Sequence, residues 1–248
     1  MEPTNASLYG KGVFTTIAIV DGSPFLWEKH WRRLSANTET IGIDITNYSE
    51  SVVADAIAVS INKDQIINGR ARITFSDERP SAAWPRESID STKLSILTGG
   101  IREIPNIFKL TISPYPVNSH SPLAGVKSCN YIENLMAIDD AKTSGCHEAV
   151  RVNERGEVTS AAMANVFWLR DDVLYTSSLA TGCLAGTTRE FILENLDCLE
   201  VQAGIEELNS ADAIYLTSAG LGIVAVAEFG DRKLPNPPHQ IIKLLTFN

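Results

Sequence analysis

A proline-broken stretch at residues 113–121 divides this chain into two runs of mixed strand and helix pattern, and that division constrains the fold more than any other feature. Pro114 and Pro116 remove backbone donors and hold their neighbours extended, so neither a helix nor a central strand continues through them. The stretch is expected to act as a linker at 114–121, between two domains of similar size at 1–113 and 122–248. With 248 residues in all, each half is long enough to bury a core.

Before the break, residues 13–20 alternate as a strand and close on the turn pair Asp21-Gly22. Residues 27–41 place Trp27, Trp31, Leu34 and Thr38 on or near one face of a helix. A second helix is predicted over 50–61, where Val52, Val53, Ala56, Ile57 and Ile61 keep helical spacing. Residues 70–75 and 93–97 read as strands flanking a polar loop at 76–92, the expected mobile segment of this half. After the break come a helix at 131–142, strands at 148–152, 166–169 and 173–176, a helix opening near Thr187, and strands at 199–203 and 213–216. This order predicts α+β architecture with mixed sheets.

Composition narrows the function. A net charge of -9 argues against general affinity for nucleic acid or anionic membrane. No apolar run reaches the length of a bilayer span, and no basic segment followed by an apolar core opens the chain, so a cytoplasmic protein is expected. Cys129, Cys146, Cys183 and Cys198 form no CxxC pair and show no metal-ligand spacing, so reduced thiols and no metal site are expected.

The run from Leu123 to Ala137 carries the chemistry. It sets Lys127 after Leu123, Ala124, Gly125 and Val126, where a lysine stem emerges from apolar surroundings. Burial lowers a lysine pKa, and a neutral amine adds to a carbonyl to form a Schiff base. A lysine snorkelling at a strand end is the plainer alternative. Further on, Gly186-Thr187-Thr188-Arg189 precedes the helically spaced Phe191, Ile192 and Leu196. A glycine and two threonines at a helix start offer backbone N–H groups, hydroxyls and the positive end of the helix dipole to an anion. A simple N-cap is the alternative. Thr217-Ser218-Ala219-Gly220, just after a predicted strand, could close on the same anion as a nest of backbone donors.

The segment Lys127-Ser128-Cys129-Asn130-Tyr131-Ile132-Glu133 resembles the lysine motif of the class IV aminotransferases, the fold type IV enzymes that use pyridoxal 5'-phosphate. Within them it looks most like the form found in 4-amino-4-deoxychorismate lyases. Three further segments match in order. They are Tyr9 to Thr16 followed by His30-Trp31-Arg32-Arg33-Leu34, Gly156 to Ser160 running on to Asn165-Val166-Phe167-Trp168, and Leu184 to Arg189 after Leu174-Tyr175-Thr176. The threonine pair after Phe14 and the tryptophan after Phe167 favour the lyase branch over branched-chain or D-amino acid aminotransferases.

The resemblance implies an α+β, D-amino acid aminotransferase-like fold: a small α/β sandwich, a larger pseudobarrel domain carrying the lysine, and the cofactor between them. Lys127 would carry the cofactor and, once released by the substrate amine, take the proton from the carbon bearing nitrogen. Expulsion of the enolpyruvyl group would then yield pyruvate and 4-aminobenzoate, a folate precursor. Arg33, from the His-x-x-Arg-Leu pattern, would hold the phosphate with Thr187, Thr188, Ser218 and Ala219. Tyr131 would sit near the phenolic oxygen, Asn130 and Glu133 would orient the helix start, and Phe14, Thr15 and Thr16 would line the substrate side. By the family's habit the enzyme would be a homodimer.

Two departures stand out. The family places a glutamate against the pyridine nitrogen where this chain has Ser160; Glu157 lies three residues earlier with the wrong strand parity. A hydroxyl cannot stabilise a cationic ring as a carboxylate does, which weighs against transamination and suits an elimination. The lyases often carry arginine and glycine after the serine matching Ser76, whereas here Asp77-Glu78-Arg79 follow, leaving Arg79, Arg86 or a partner-subunit residue to bind the substrate carboxylate. The usual strand before Tyr9 is largely missing, which could expose a sheet edge. The alternatives are an aminotransferase acting on branched-chain or D-amino acids, or a non-catalytic relative that binds a phosphorylated ligand or a protein.

Overall fold

The computed structural model describes residues 2–81 and 91–245. The chain forms two units. The first is Met1–Arg102 together with Val126–Tyr131, and the second is Glu103–Gly125 with Ile132–Asn248. The expected linker at 114–121 therefore falls inside the second unit, and the lysine segment groups with the N-terminal strands instead of the C-terminal half. The cause is pairing: Phe14 N donates to Lys127 O (3.0 Å) and Cys129 N to Gly12 O (2.8 Å).

In the first unit, helix α1 (Asn5–Tyr9) opens the described chain just before β1. Thr4 and Ser7 cap it reciprocally, and Gly10 ends it at φ 63°. Strands β1 (Gly12–Val20), β2 (Ser23–Pro24), β3 (Gly69–Asp77) and β4 (Thr92–Gly99) form an antiparallel sheet in the order β2-β1-β3-β4. Helices α2 (Trp27–Ile41) and α3 (Glu50–Lys63) cover one face of it. Their contribution is apolar: Leu34, Val53 and Ile57 meet Ile17, Ile73 and Phe75, all almost wholly buried. β3 alternates buried and half-buried residues along its whole length, so Ala71, Ile73 and Phe75 enter this core and its even-numbered residues face away. The strands on either side of the expected polar loop run further than predicted, to Asp77 and from Thr92. The middle of that loop, 82–90, lies outside the described residues.

The second unit contains β5 (Lys109–Ile112), α4 (Ile132–Thr143), β6 (Glu148–Val152), β7 (Val158–Ala161), β8 (Asn165–Arg170), β9 (Val173–Ser177), α5 (Thr187–Asn195), β10 (Leu199–Val201) and α6 (Ile205–Ser210). It ends with β11 (Ala213–Ser218), β12 (Gly222–Ala225), β13 (Glu228–Phe229), β14 (Arg232–Lys233) and α7 (Ile241–Leu244). Two five-stranded mixed sheets result, ordered β10-β9-β8-β11-β12 and β14-β13-β5-β6-β7. β8 is buried on both sides. Val166 and Trp168 enter one hydrophobic cluster, while Phe167 and Leu169 enter another with Ile192 of α5 and Ile241 of α7. A continuous apolar run, rather than alternation, is what a strand covered on both faces requires. Both units are thus α+β with mixed or antiparallel sheets, as the element order predicts.

Candidate active site

Lys127 lies on a short extension that bridges to β1 through Val13 and Ser128. Gly12 makes this approach possible, because a Cβ there would lie 2.9 Å from the Cys129 sulfur. Gly10, just before it, likewise leaves room, since a Cβ there would fall 2.6 Å from Asn130 Oδ1. The lysine amine is thereby set between two aromatic rings, 4.6 Å from the centre of Phe14 and 4.8 Å from that of Tyr131. These rings meet edge to face at 5.1 Å, and Lys127 Nζ donates to Tyr131 Oη at 3.1 Å. Although the residue as a whole is half-buried, its amine is enclosed. Burial, followed by the charges of Arg33 and Arg72, lowers its pKa to about 7. A substantial neutral fraction at physiological pH makes it a competent nucleophile for an aldehyde.

Strand parity separates the residues expected on the substrate side. Phe14 and Thr16 face away from the core, whereas Thr15 is wholly buried and turns toward α2. There its hydroxyl accepts from Arg33 Nη2 (2.8 Å) and lies 2.7 Å from His30 Nδ1. Burial, with Arg33 and Lys127 nearby, holds His30 well below the usual histidine range, so it is neutral. Thr15 therefore positions Arg33. Arg32 is exposed, as expected of the neighbour that does not point inward. Arg79 pairs with Asp77, a carboxylate that also receives Lys11 (3.1 Å) and Asn5 (3.2 Å). These donors outweigh the cost of burial and hold Asp77 well below the usual carboxylate range. Arg86 lies outside the described residues.

The sequence alone does not single out Arg72. Its guanidinium stands 3.5 Å from the centre of the Phe14 ring, and it also reaches the Cys129 thiol. The period-2 pattern of residues 70–75 holds the signal, since Arg70, Arg72 and Thr74 alternate with Ala71, Ile73 and Phe75.

In the second unit, Gly186 caps α5 without a side chain, and Thr187 and Thr188 open the helix almost fully buried. A Cβ on Gly186 would lie 1.9 Å from Asn165 Oδ1. The Asn165 amide in turn donates to Leu184 O (2.8 Å), tying the start of β8 to the loop before α5. Thr217, paired with Asn165 across β11 and β8, keeps its hydroxyl oxygen buried with no hydrogen-bond partner among the described residues. Such an atom is costly unless something polar meets it. Ser218 Oγ accepts from Leu221 N (3.2 Å), which shapes the turn containing Ala219 and Gly220.

Ser160 is half-buried on β7, opposite Arg151 on β6. Arg151 is occupied elsewhere: its guanidinium donates to Tyr115 O, Pro116 O and Glu133, the last at 2.9 Å. Glu133 thus anchors α4 to β6. Glu157 is held by Arg155 and Asn153 (2.7 Å each), so its carboxylate is already engaged.

Residues 12–229, which include Lys127, Arg33, Arg72, Ser160 and the start of α5, match the amino-transferase class IV family. The chain belongs to the class IV aminotransferase family. It is 27% identical over 226 residues to the aminodeoxychorismate lyase of Bacillus subtilis (strain 168), covering 88% of this chain and 77% of that one. It is also 23% identical over 229 residues to the D-alanine aminotransferase of Staphylococcus epidermidis (strain RP62A), covering 89% and 80%. Among solved structures, the branched-chain aminotransferase of the archaeon Thermoproteus uzoniensis superposes with a TM-score of 0.89 at 22% identity, covering 97% of this chain and 84% of that one.

Class IV aminotransferases and their lyase relatives are pyridoxal phosphate-dependent enzymes, and this chain is an enzyme of that kind. The residues present fit the group. A near-neutral lysine walled by aromatic rings suits its aldehyde, and the orphaned Thr217 hydroxyl suits an anion's oxygen. No helix among the described residues is long and apolar enough to cross a membrane.

Proposed function

We propose that this class IV enzyme is a lyase that uses pyridoxal phosphate to convert 4-amino-4-deoxychorismate into 4-aminobenzoate and pyruvate. The observation that carries the reading is the Lys127 amine, lowered to a pKa of about 7 between Phe14 and Tyr131. When bound, the cofactor supplies an aldehyde for amines and a ring that withdraws electrons from the adjacent carbon. Lys127 holds the cofactor in the resting protein and moves the proton at the substrate carbon bearing nitrogen. Tyr131 keeps the amine oriented through its hydroxyl, and the Phe14 ring shields it from water. Loss of that proton with cleavage of the ring C–O bond releases enolpyruvate, which takes up a proton to become pyruvate.

The preference for elimination over amino transfer is supported by Ser160. A hydroxyl stands there, and the neighbouring Glu157 is committed to Arg155 and Asn153. Arg33, Thr187, Thr188, Ser218 and Ala219 are assigned to the cofactor phosphate, Ser160 to its ring nitrogen, and Phe14, Thr16 and Asn130 to the substrate side. Thr15 is assigned to the support of Arg33. A homodimer in the cytoplasm completes the reading. Ile132, Leu135 and Met136, exposed at helical spacing on α4, offer an apolar stripe for it.

Near-visible absorbance of the purified protein with added pyridoxal phosphate tests this, wild type beside Lys127→Ala. A band that borohydride bleaches, present only in the wild type, together with pyruvate release from 4-amino-4-deoxychorismate, is expected. Amino transfer to 2-oxoglutarate without pyruvate release would replace the lyase with an aminotransferase. Absence of the band at excess cofactor would sink the enzyme's assigned cofactor chemistry altogether.

A further inference from the structure

Between β1 and α2 the first unit encloses three polar side chains, Thr15, His30 and Arg33, beside an otherwise apolar core. Thr15 is wholly buried and His30 almost so. His30 and Arg33 stand three residues apart on α2, so both project from one face of the helix and meet the same strand. Arg32, between them, is exposed. Two polar atoms reach the Thr15 hydroxyl oxygen among the described residues: His30 Nδ1 at 2.7 Å and Arg33 Nη2 at 2.8 Å.

Donor accounting fixes the direction of both bonds. A hydroxyl has one proton to donate and two lone pairs to accept with, whereas a guanidinium only donates. Arg33 Nη2 therefore occupies a lone pair of Thr15. The Thr15 proton then has one acceptor within reach, His30 Nδ1. Were Nδ1 protonated, two donors would converge on the Thr15 oxygen, and the hydroxyl proton would be buried without an acceptor. Folded proteins rarely hold a polar group in that way, because its lost hydration is not replaced. A cationic ring would bring the same clash of donors and a second positive charge beside Arg33. Burial, with the charges of Arg33 and Lys127, keeps His30 neutral.

We propose that His30 is a positioning residue, fixed as the tautomer that carries its proton on Nε2, and that it acts on Arg33 through Thr15. The bare Nδ1 takes the Thr15 proton, which turns a lone pair of the hydroxyl to Arg33. With Nη2 anchored there, the planar guanidinium loses its freedom to turn, and a paired contact with an anion depends on that fixed plane. The inference rests on the proposed function only for what Arg33 then holds, the phosphate of the cofactor.

Two measurements on the full-length protein test the assignment. Nitrogen-15 NMR of the cofactor-free protein, labelled at histidine, reads the tautomer directly, and His30→Asn identifies the signal among the four histidines. A pyridine-type Nδ1 and a protonated Nε2 are expected near neutral pH. A protonated Nδ1, in either a neutral or a cationic ring, overturns the proposal. The second measurement is the ratio of the dissociation constants of pyridoxal and pyridoxal phosphate, which isolates the phosphate contact. Thr15→Val and His30→Leu keep much of the shape but lose the hydroxyl and the acceptor. Each is expected to reduce the ratio roughly tenfold, the worth of a hydrogen bond to a charged group. Thr15→Ser keeps the hydroxyl and His30→Asn sets an amide oxygen near the place of Nδ1, so both should retain most of the ratio. Circular dichroism confirms that each variant is folded. An undiminished ratio in His30→Leu with a loss in His30→Asn would mean that the ring only fills space, which overturns the positioning role. An unchanged ratio in Arg33→Gln refutes the assignment of Arg33 to the phosphate, whereas the Nε2 tautomer stands or falls on the NMR alone.

Discussion

Lys127 and Tyr131, four residues apart, are joined by a 3.1 Å hydrogen bond from the amine to the phenol oxygen. The bond spans the point where an extended segment becomes helix α4, which begins at Ile132. With its pKa lowered to about 7, the amine is partly neutral near physiological pH, and the phenol fixes its direction.

Tyr131→Phe removes this acceptor and keeps the edge-to-face ring contact with Phe14. Its cost in stability should be small, about 0.5–1.5 kcal/mol, as for a single hydrogen bond. The fraction of protein that borohydride traps with pyridoxal phosphate should fall. Urea denaturation and absorbance check the two expectations separately. Unchanged trapping would mean that the phenol does not orient the amine.

The lowered Lys127 pKa has a pH signature in stability. In the cofactor-free fold the amine titrates near 7, and in the unfolded chain near the ordinary 10.5. Between these values the unfolded chain binds the additional proton, so the lysine's contribution makes stability rise with pH across that window. Below about 7 the amine is protonated in both states and its penalty is constant. Denaturation of the wild type and Lys127→Met at several pH values isolates the effect, because cysteines that titrate in the same range cancel. Parallel curves would show that burial does not shift this amine.

Gly186→Ala places a methyl group 1.9 Å from Asn165 Oδ1. Overpacking of this kind costs about 1–3 kcal/mol. Adding Asn165→Ala should recover some of the loss, since the clash has gone, giving a favourable coupling in a double-mutant cycle. Additive losses would place the strain elsewhere.

Ser160→Glu tests the departure from the family at the ring nitrogen. The ratio of amino transfer to pyruvate release should rise roughly tenfold, equivalent to one pKa unit of added stabilisation. Parallel assays of keto-acid amination and pyruvate release measure it. A ratio that does not move would remove Ser160 from the choice between reactions.

Elements whose pattern is local were legible. Helix α2 runs over the predicted 27–41, because its apolar spacing and the following Gly42 are both near in sequence. α3 extends the predicted 50–61 by only two residues. Strands β12, β13 and β14, of four residues or fewer, carry too little alternation to be seen, and α1 stands where only a missing strand was noted. In the site, Lys127 and Tyr131 stood out through their apolar setting and shared motif. Arg79 and Thr15 show the limit of that reading: the first is occupied by Asp77, and the second turns toward Arg33 and His30.

By itself, then, the amino-acid order determined the family and the two long helices of the first unit, and it singled out Lys127, because each rests on residues close together in the chain. Tertiary structure decided which unit holds that lysine, which threonine of the Thr15-Thr16 pair supports Arg33, and that Arg72 shares the Phe14 ring with Lys127. Those outcomes depend on pairing between β1, β3 and residues 127–129, whose partners lie 50 or more residues apart. A register shift of one residue would exchange the two faces of a strand, and only the packed core selects between them.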